Sequence, residues 1–451
     1  MAVLSALSDV LWNPWLLGLF LLTGLVYSIG SGFFQFFDFP LWWHTTAGSL
    51  FHRSTKTGGG LSSLQALATA LASTIGTGSI AGVAAALTLG GPGSVFWMWI
   101  SALLGMMTGC GEKLLAVRYQ QPAPDGGLQG GPMFYLRNGL GSPLLALLFA
   151  LAALPATLVG GNLVQSSSIA SALNAAFGWN RIAVGAVITL LSMAVLSGGI
   201  QRIAGASSIL VPAMALLYLG CGGIILVLRA AELPQVLAMI FQCAFTPSAA
   251  VGGAAGWTVT SALRHGVARG VFTNEAGLGT SAMAHGAARV NHPAQQGMWG
   301  IFEVFVSTLL VCTVTALVIL VSGVWPVSPL TGSALTAAAF AAHLGPAGSA
   351  VVAVSLLLFA FSSILGWSYY GQQCLRWCTK SRRFDRIYLT LFAVCILFGS
   401  ALEADLLWPL VDLCNALMAL PNLAALLFLS PEALALLRMW RSTQKNTKKF
   451  H

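Results

Sequence analysis

Charge is what this sequence has least of: of 451 residues only 21 are Lys or Arg and 12 are Asp or Glu, 7% in all, where soluble domains carry about a quarter. So little charge cannot cover a soluble fold. Apolar residues make up 57% of the chain, at a mean hydropathy of +0.82, and are spread along its whole length. Paired cysteine motifs are missing too. The eight cysteines fall mostly within apolar segments, with no CxxC and no His partner at metal-ligand spacing, which excludes a disulfide scaffold or zinc module and reads as buried packing. The seven histidines are dispersed and neither HExxH nor GxSxG occurs, so a membrane-embedded enzyme lacks its constellation. No Lys or Arg precedes the first apolar run, so that span is expected to be retained rather than cleaved. The net charge of +9 comes without an aromatic-interleaved basic patch, which argues against a nucleic-acid partner.

What the sequence does have is apolar runs. Eleven are long enough to cross about 30 Å of hydrocarbon, near 12–32, 61–90, 94–116, 142–172, 181–198, 206–228, 257–290, 297–323, 346–374, 387–402 and 404–430. The expectation is an all-α polytopic protein in a lipid bilayer. Val236–Phe245, between Pro234 and Pro247, is too short to span and reads as an interfacial helix. Basic residues are retained in short cytoplasmic loops. With the N-terminus outside, 17 of the 21 Lys and Arg fall inside, and only Arg181, Arg229, Arg264 and Arg269 fall outside. The expected topology is N-terminus out and C-terminus cytoplasmic, in a plasma (inner) membrane. The basic tail after Pro431 either meets lipid headgroups or is a solvated anchor.

Two spans carry weak places. LASTIGTGSIAGVA sets Gly76, Gly78 and Gly82 among Ser73, Thr74, Thr77 and Ser79, and RGVFTNEAGLGTSAMAH sets Gly270, Gly277 and Gly279 around Asn274 and Glu275. Glycines weaken a helix by up to about 1 kcal/mol each, and unwound backbone at membrane depth is tolerated only where it is covered or lines a cavity. Close helix packing is the plainer reading of the first, and a structural cap that of Glu275. Thr77 to Arg229 is 152 residues and Gly277 to Ser430 is 153. Five spans beginning with an interrupted one, twice over, is an inverted repeat of the transporter kind. The expected organisation is an extra N-terminal helix and loop at 1–60, a first repeat at 61–230, a connecting segment at 231–256, an inverted second repeat at 257–430 and a tail at 431–451. The second break is placed at 273–279, with 246–257 as the alternative.

At such a break free amides suit a carboxylate and free carbonyls suit a cation. The amides of Thr77 and Gly78 are assigned to the first, the carbonyls of Ala72 and Ile75 to the second. Ser362 and Ser363 add hydroxyls, with Trp367 four residues after Ser363 on the same face; serines in an apolar helix also bond back to their own carbonyls. Oxygen donors suit a hard monovalent cation, Na⁺, rather than a transition metal. Asn162 and Gln165 either face the cavity or bridge helices. Glu112, beside Lys113, reads as solvated or paired at a helix end. Glu275 and the deeper Glu303 leave H⁺ coupling open.

These residues carry a resemblance. GTGSIAGVAAALTLGGPGSVFWMWISALLGM, GGPMFYL, ARGVFTNEAGLGTSAMAH and FAFSSILGWSYYGQQC, in this order, are similar to the alanine or glycine:cation symporters, which have a LeuT-type fold. The resemblance implies a carrier of small neutral amino acids, chiefly alanine and glycine, coupled to Na⁺ and without an organic cofactor. It implies substrate contacts at Thr77, Gly78, Ser79, Gln165, Phe272, Asn274, Ser363 and Trp367, and a sodium site of Ala72, Ile75, Ser362 and Ser363. Where the family usually reads GTGN, position 79 here is Ser, a shorter side chain that leaves room beside the substrate.

Overall fold

The structure is a computed structural model that describes residues 11–51, 61–123, 126–246, 258–325, 329–379, 381–403 and 407–447. The alternative break at 246–257 lies almost wholly outside these residues, as do Arg53, Lys56 and Lys380. Eleven helical segments follow the apolar runs. They are α1 (Pro14–Gly30), α2 in two halves, α2a (Ser63–Thr74) and α2b (Ala81–Gly90), α3 (Gly93–Arg118), α4 (Pro143–Phe177), α5 (Arg181–Leu196) and α6 (Gly199–Leu228). The second series is α7 in two halves, α7a (Val259–Asn274) and α7b (Thr280–His285), then α8 (Pro293–Val321), α9 (Pro346–Cys378), α10 (Arg382–Ala401) and α11 (Trp408–Phe428). The chain is thus a multi-pass, mostly helical membrane protein.

An interrupted helix followed by four continuous ones occurs twice, and the packing respects the repetition. Helix α3 packs on α8, α4 on α9 and α5 on α10, so each of these meets its own counterpart; α6 against α9 is matched by α11 against α4. Large apolar side chains are exposed on the outer helices, such as Leu190, Ile209, Leu216 and Phe398, while Ser, Thr, Asn, Glu and Lys are buried among the inner ones. This inside-out distribution belongs in hydrocarbon, where a polar side chain finds partners only within the bundle.

Two wide π-turns interrupt otherwise continuous helices, Val159–Leu163 in α4, shortly after Pro155, and Phe305–Cys312 in α8. Such turns leave a carbonyl unpaired within the helix and are common at functional sites. The short span Val236–Phe245 lies in a helix, Leu233–Phe245, whose Phe241 and Phe245 rings pack on Phe96. The tail is more than a solvated anchor. It forms a final helix, α12 (Ser430–Thr447), whose Arg438 donates to the carbonyl of Gly30 (2.6 Å) and whose Arg441 donates to Asp38 (3.0 Å). Those two cations are spent on the end of α1 and the loop after it.

Candidate functional site

The first break is real. Helix α2a starts on a capping box, Ser62 with Gln65, and ends at Thr74; Ile75 has ψ 80°, which turns its carbonyl out of the helical row, and Gly76 is extended. Thr77–Ser79 forms one tight turn before α2b begins. The loosened backbone is held by side chains from four other helices. Thr315 on α8 donates to the carbonyl of Ser79 (2.9 Å), and Thr336, on the helix Gly332–Leu344, to that of Ile80 (3.2 Å). Ser362 and Ser363 on α9 both donate to the carbonyl of Ala72 (3.0 and 3.1 Å), and Ser363 also reaches that of Ser73 (3.1 Å). Both serines bond back to Phe359 as well. Back-bonding and a contact across to α2a therefore coexist.

Gln165 shows how sequence reaches this turn. Its side-chain amide donates to the Gly160 carbonyl (3.1 Å), which the wide turn of α4 leaves available, and this orientation aims its oxygen at the Thr77 amide (3.3 Å). The two amide side chains of this segment divide between the two readings: Gln165 serves the break, whereas Asn162 bridges to the Phe392 carbonyl on α10 (2.7 Å).

Space at the break is tight. A methyl group at Gly76 would come 2.6 Å from Ser363 Oγ and 3.2 Å from Gln165 Oε1, and one at Gly78 would come 2.9 Å from the Phe272 ring. Thr77, Gly78, Gln165, Phe272 and Ser363 are thus brought to one place, with Ala72, Ile75 and Ser362 one turn away. The hydroxyls of Thr77 and Ser79 are buried there without a hydrogen-bond partner among the described residues. Two expected contacts face elsewhere. Asn274 accepts from the Ala276 amide (3.0 Å) and its NH₂ lies near Gly105 of α3; Trp367 stacks edge-on with Tyr370, 5.8 Å between centroids, its Cβ against Gly161 in the wide turn of α4.

The second break falls at 275–279, inside the expected 273–279. Glu275 adopts the left-handed conformation (φ 55°), a strained one for a residue other than glycine, and Gly277 and Gly279 also have positive φ. Glu275, the residue that ends α7a, accepts from the Thr280 hydroxyl at the start of α7b, a bond that links the two halves. The exposed amides of this turn already hold an anion: Glu112 Oε1 accepts from Gly277 N (3.0 Å), Gly279 N (3.0 Å) and Asn422 Nδ2 (2.7 Å).

Glu112 is therefore not a solvated helix end. It is fully buried, as is Lys113, which stands 3.3 Å from Glu112 and 3.4 Å from Glu303. The readable signal was an acid inside an apolar run, which marks a functional position by default. Asn422 gave no such signal, because nothing local distinguishes it. The amides of the second break are thus met by a carboxylate of the chain itself, and the Thr77 amide of the first by the neutral Gln165 oxygen.

Above the site Arg269 pairs with Asp412 (3.3 Å) and lies 4.7 Å from the centroid of Trp408, whose ring packs edge-on against Phe272 (5.2 Å). These contacts narrow this side, where Arg269, Phe272, Trp408 and Asp412 all stay part-exposed. At the opposite mouth a cavity of about 260 Å³ is lined by Leu61, Gly198, Gln201, Ala287, Tyr369 and Gln373 among others. Tyr369 is six residues beyond Ser363 on α9, about 9 Å along the helix axis.

Comparison with known proteins decides the identity. The sequence pattern of the sodium:alanine symporter family matches residues 1–451. The chain belongs to the sodium:alanine symporter family. Among its relatives, an uncharacterized transporter of Haemophilus influenzae is 41% identical over 94% of this chain and 93% of its own length, and the sodium/alanine symporter AgcS of Methanococcus maripaludis is 37% identical over 99% of both. The crystal structure of MhsT in complex with L-phenylalanine matches with a TM-score of 0.61 at 14% identity, covering 85% of this chain and 93% of that one, which shows the shared LeuT-type fold. This member of the sodium:alanine symporter family is accordingly a transporter and not an enzyme.

Proposed function

We propose that the protein is a sodium-coupled symporter that carries small neutral amino acids, alanine and glycine first, into the cell by alternating access. The observation that carries this reading is the convergence of Ser362 Oγ and Ser363 Oγ on the Ala72 carbonyl at 3.0 and 3.1 Å. Three oxygens meet at the end of a half-helix, three residues before Ile75, whose carbonyl leaves the helical row. Na⁺ takes such uncharged oxygen donors. The substrate carboxylate lies on the amides of Thr77 and Gly78, displacing the Gln165 oxygen from the first of them. Phe272 covers the side chain, and the hydroxyls of Thr77 and Ser79 line the remaining space. Ser363 contacts both ion and substrate, which makes the two bindings reciprocal. Asn274 and Trp367 take up the substrate contacts once the bundle closes on it. The distribution of basic residues supports a cytoplasmic mouth near Ala287 and an outer Arg269–Asp412 side, with the N-terminus also outside, in the plasma (inner) membrane.

The test is uptake of labelled alanine into proteoliposomes under imposed sodium or proton gradients. Sodium should drive accumulation. Ser362→Ala and Ser363→Ala should each raise the half-saturating sodium concentration about tenfold or more, since a hydrogen-bonding group facing a charge contributes about 1.5–3 kcal/mol. Equal uptake from a pH step without sodium overturns the ion assignment. Arg269→Ala tests the outer closure. A partly exposed pair contributes about 1 kcal/mol or less and its contact with Trp408 about 0.5–1 kcal/mol, so a severalfold rise in KM for alanine is expected, with sodium dependence kept.

A further inference from the structure

Below the second break four ionisable side chains are fully buried in one cluster. Lys113 Nζ lies 3.3 Å from Glu112 Oε2 and 3.4 Å from Glu303 Oε2, and His285 Nε2 lies 3.2 Å from the same Glu303 oxygen. The other ring nitrogen, His285 Nδ1, is 2.6 Å from Gln296 Nε2. These groups come from α3, α7b and α8, and nothing in the proposed transport site uses them.

The protonation of two members is constrained by their partners. Glu112 accepts three N–H donors on one oxygen and faces an ammonium with the other, an environment for a carboxylate. Lys113 sits between two carboxyl groups, an environment for an ammonium. With Glu303 as a carboxylate and His285 neutral, the cluster would carry one uncompensated negative charge away from water, which is strongly disfavoured. One more proton makes the sum zero. The His285–Glu303 pair can hold it, as a carboxyl beside a neutral imidazole or as a carboxylate beside an imidazolium, since neither Glu303 oxygen makes a well-aligned hydrogen bond among the described residues.

We propose that His285 and Glu303 form a proton-binding site, separate from the Ala72–Ser362–Ser363 ion site, whose occupancy changes during the transport cycle. The proposal rests on the alternating-access reading. His285 closes the inner half of the broken helix, and Ala287, two residues on, lines the inner mouth. When that half-helix leaves α3 and α8, His285 leaves Glu303, the pair is wetted and the proton is released; redocking takes it up again. Acid therefore favours the docked arrangement and alkali the undocked one. The charged and titratable groups facing the pair are Glu112, Lys113 and the Cys110 thiol on α3, Glu275 on α7, and more distantly the phenols of Tyr27, Tyr135 and Tyr370.

The experiment uses the purified full chain in weakly buffered detergent, from about pH 5.5 to 8.5. Binding of alanine with NaCl is followed by tryptophan fluorescence and proton exchange by a pH dye. A net exchange approaching one proton per bound alanine somewhere in this range is expected. His285→Gln and Glu303→Gln should each bind alanine in a sodium-dependent way while losing most of that exchange. Should one variant fail to fold, the other carries the comparison. Alanine binding with no proton exchange at any pH in the wild type overturns the proposal, as does exchange that persists in a variant that binds. Absence of any sodium-dependent alanine binding in the wild type sinks the transport reading instead, so the two failures are distinct.

Discussion

Replacing Glu112 by Ala should be the most damaging single change for folding. Three N–H donors, from Gly277, Gly279 and Asn422, would lose their acceptor, and Lys113 would be left with Glu303 as its one counter-charge. Removing one partner of a buried ion pair typically costs about 3–5 kcal/mol, and each orphaned buried donor adds about 1–3 kcal/mol. The expected result is loss of most folded protein from the membrane fraction, read by fluorescence size-exclusion chromatography. Glu112→Gln keeps an acceptor oxygen but loses the charge, so it should fold with lowered thermal stability. Normal yield and stability for Glu112→Ala would show that the cluster does not hold the second break.

Gly76→Ala should give the largest loss of transport without unfolding. The added methyl would meet Ser363 Oγ at 2.6 Å and Gln165 Oε1 at 3.2 Å, both of which must approach the break for the proposed site to form. Overpacking of this kind costs about 1–3 kcal/mol. If that cost falls on the ligand-bound state, affinity drops by a factor of about 5–150. Sodium-driven alanine uptake is expected to fall accordingly while detergent-extracted protein remains monodisperse. Gly205→Ala is the control, since nothing lies within 4 Å of the methyl it would add. Equal uptake from both variants would remove Gly76 from the site.

The glycine-rich segments of α2 and α7 could be read as interruptions because glycine weakens a helix wherever it stands, and because polar residues crowded around both. Ser362 and Ser363 were legible as a pair of hydroxyls in an apolar helix, but not their target: Ala72 lies 290 residues earlier, and no local pattern records such a distance. The same holds for Gln165, whose direction depends on a wide turn that Gly160 and Gly161 permit and that helical periodicity does not reveal. Glu112 was half legible for a related reason. Of its two readings, solvated or paired, the pairing with Lys113 holds, and only the approach of α7, α8 and α11 removes the pair from water.

By itself the sequence determined that this chain lives in a bilayer, since 33 charges cannot cover 451 residues in water, and it marked two spans where glycines weaken the helix, while packing decided that both are discontinuous. It also carried the family, through long motifs in a fixed order. The tertiary structure decided how the two breaks are satisfied: packing delivers a carboxylate from α3 to the amides of the second break, and a neutral glutamine oxygen from α4 to the Thr77 amide of the first. It decided as well that Lys113, Glu303 and His285 meet, because the helices that carry them are apolar enough to be buried and a buried charge is held only beside a partner.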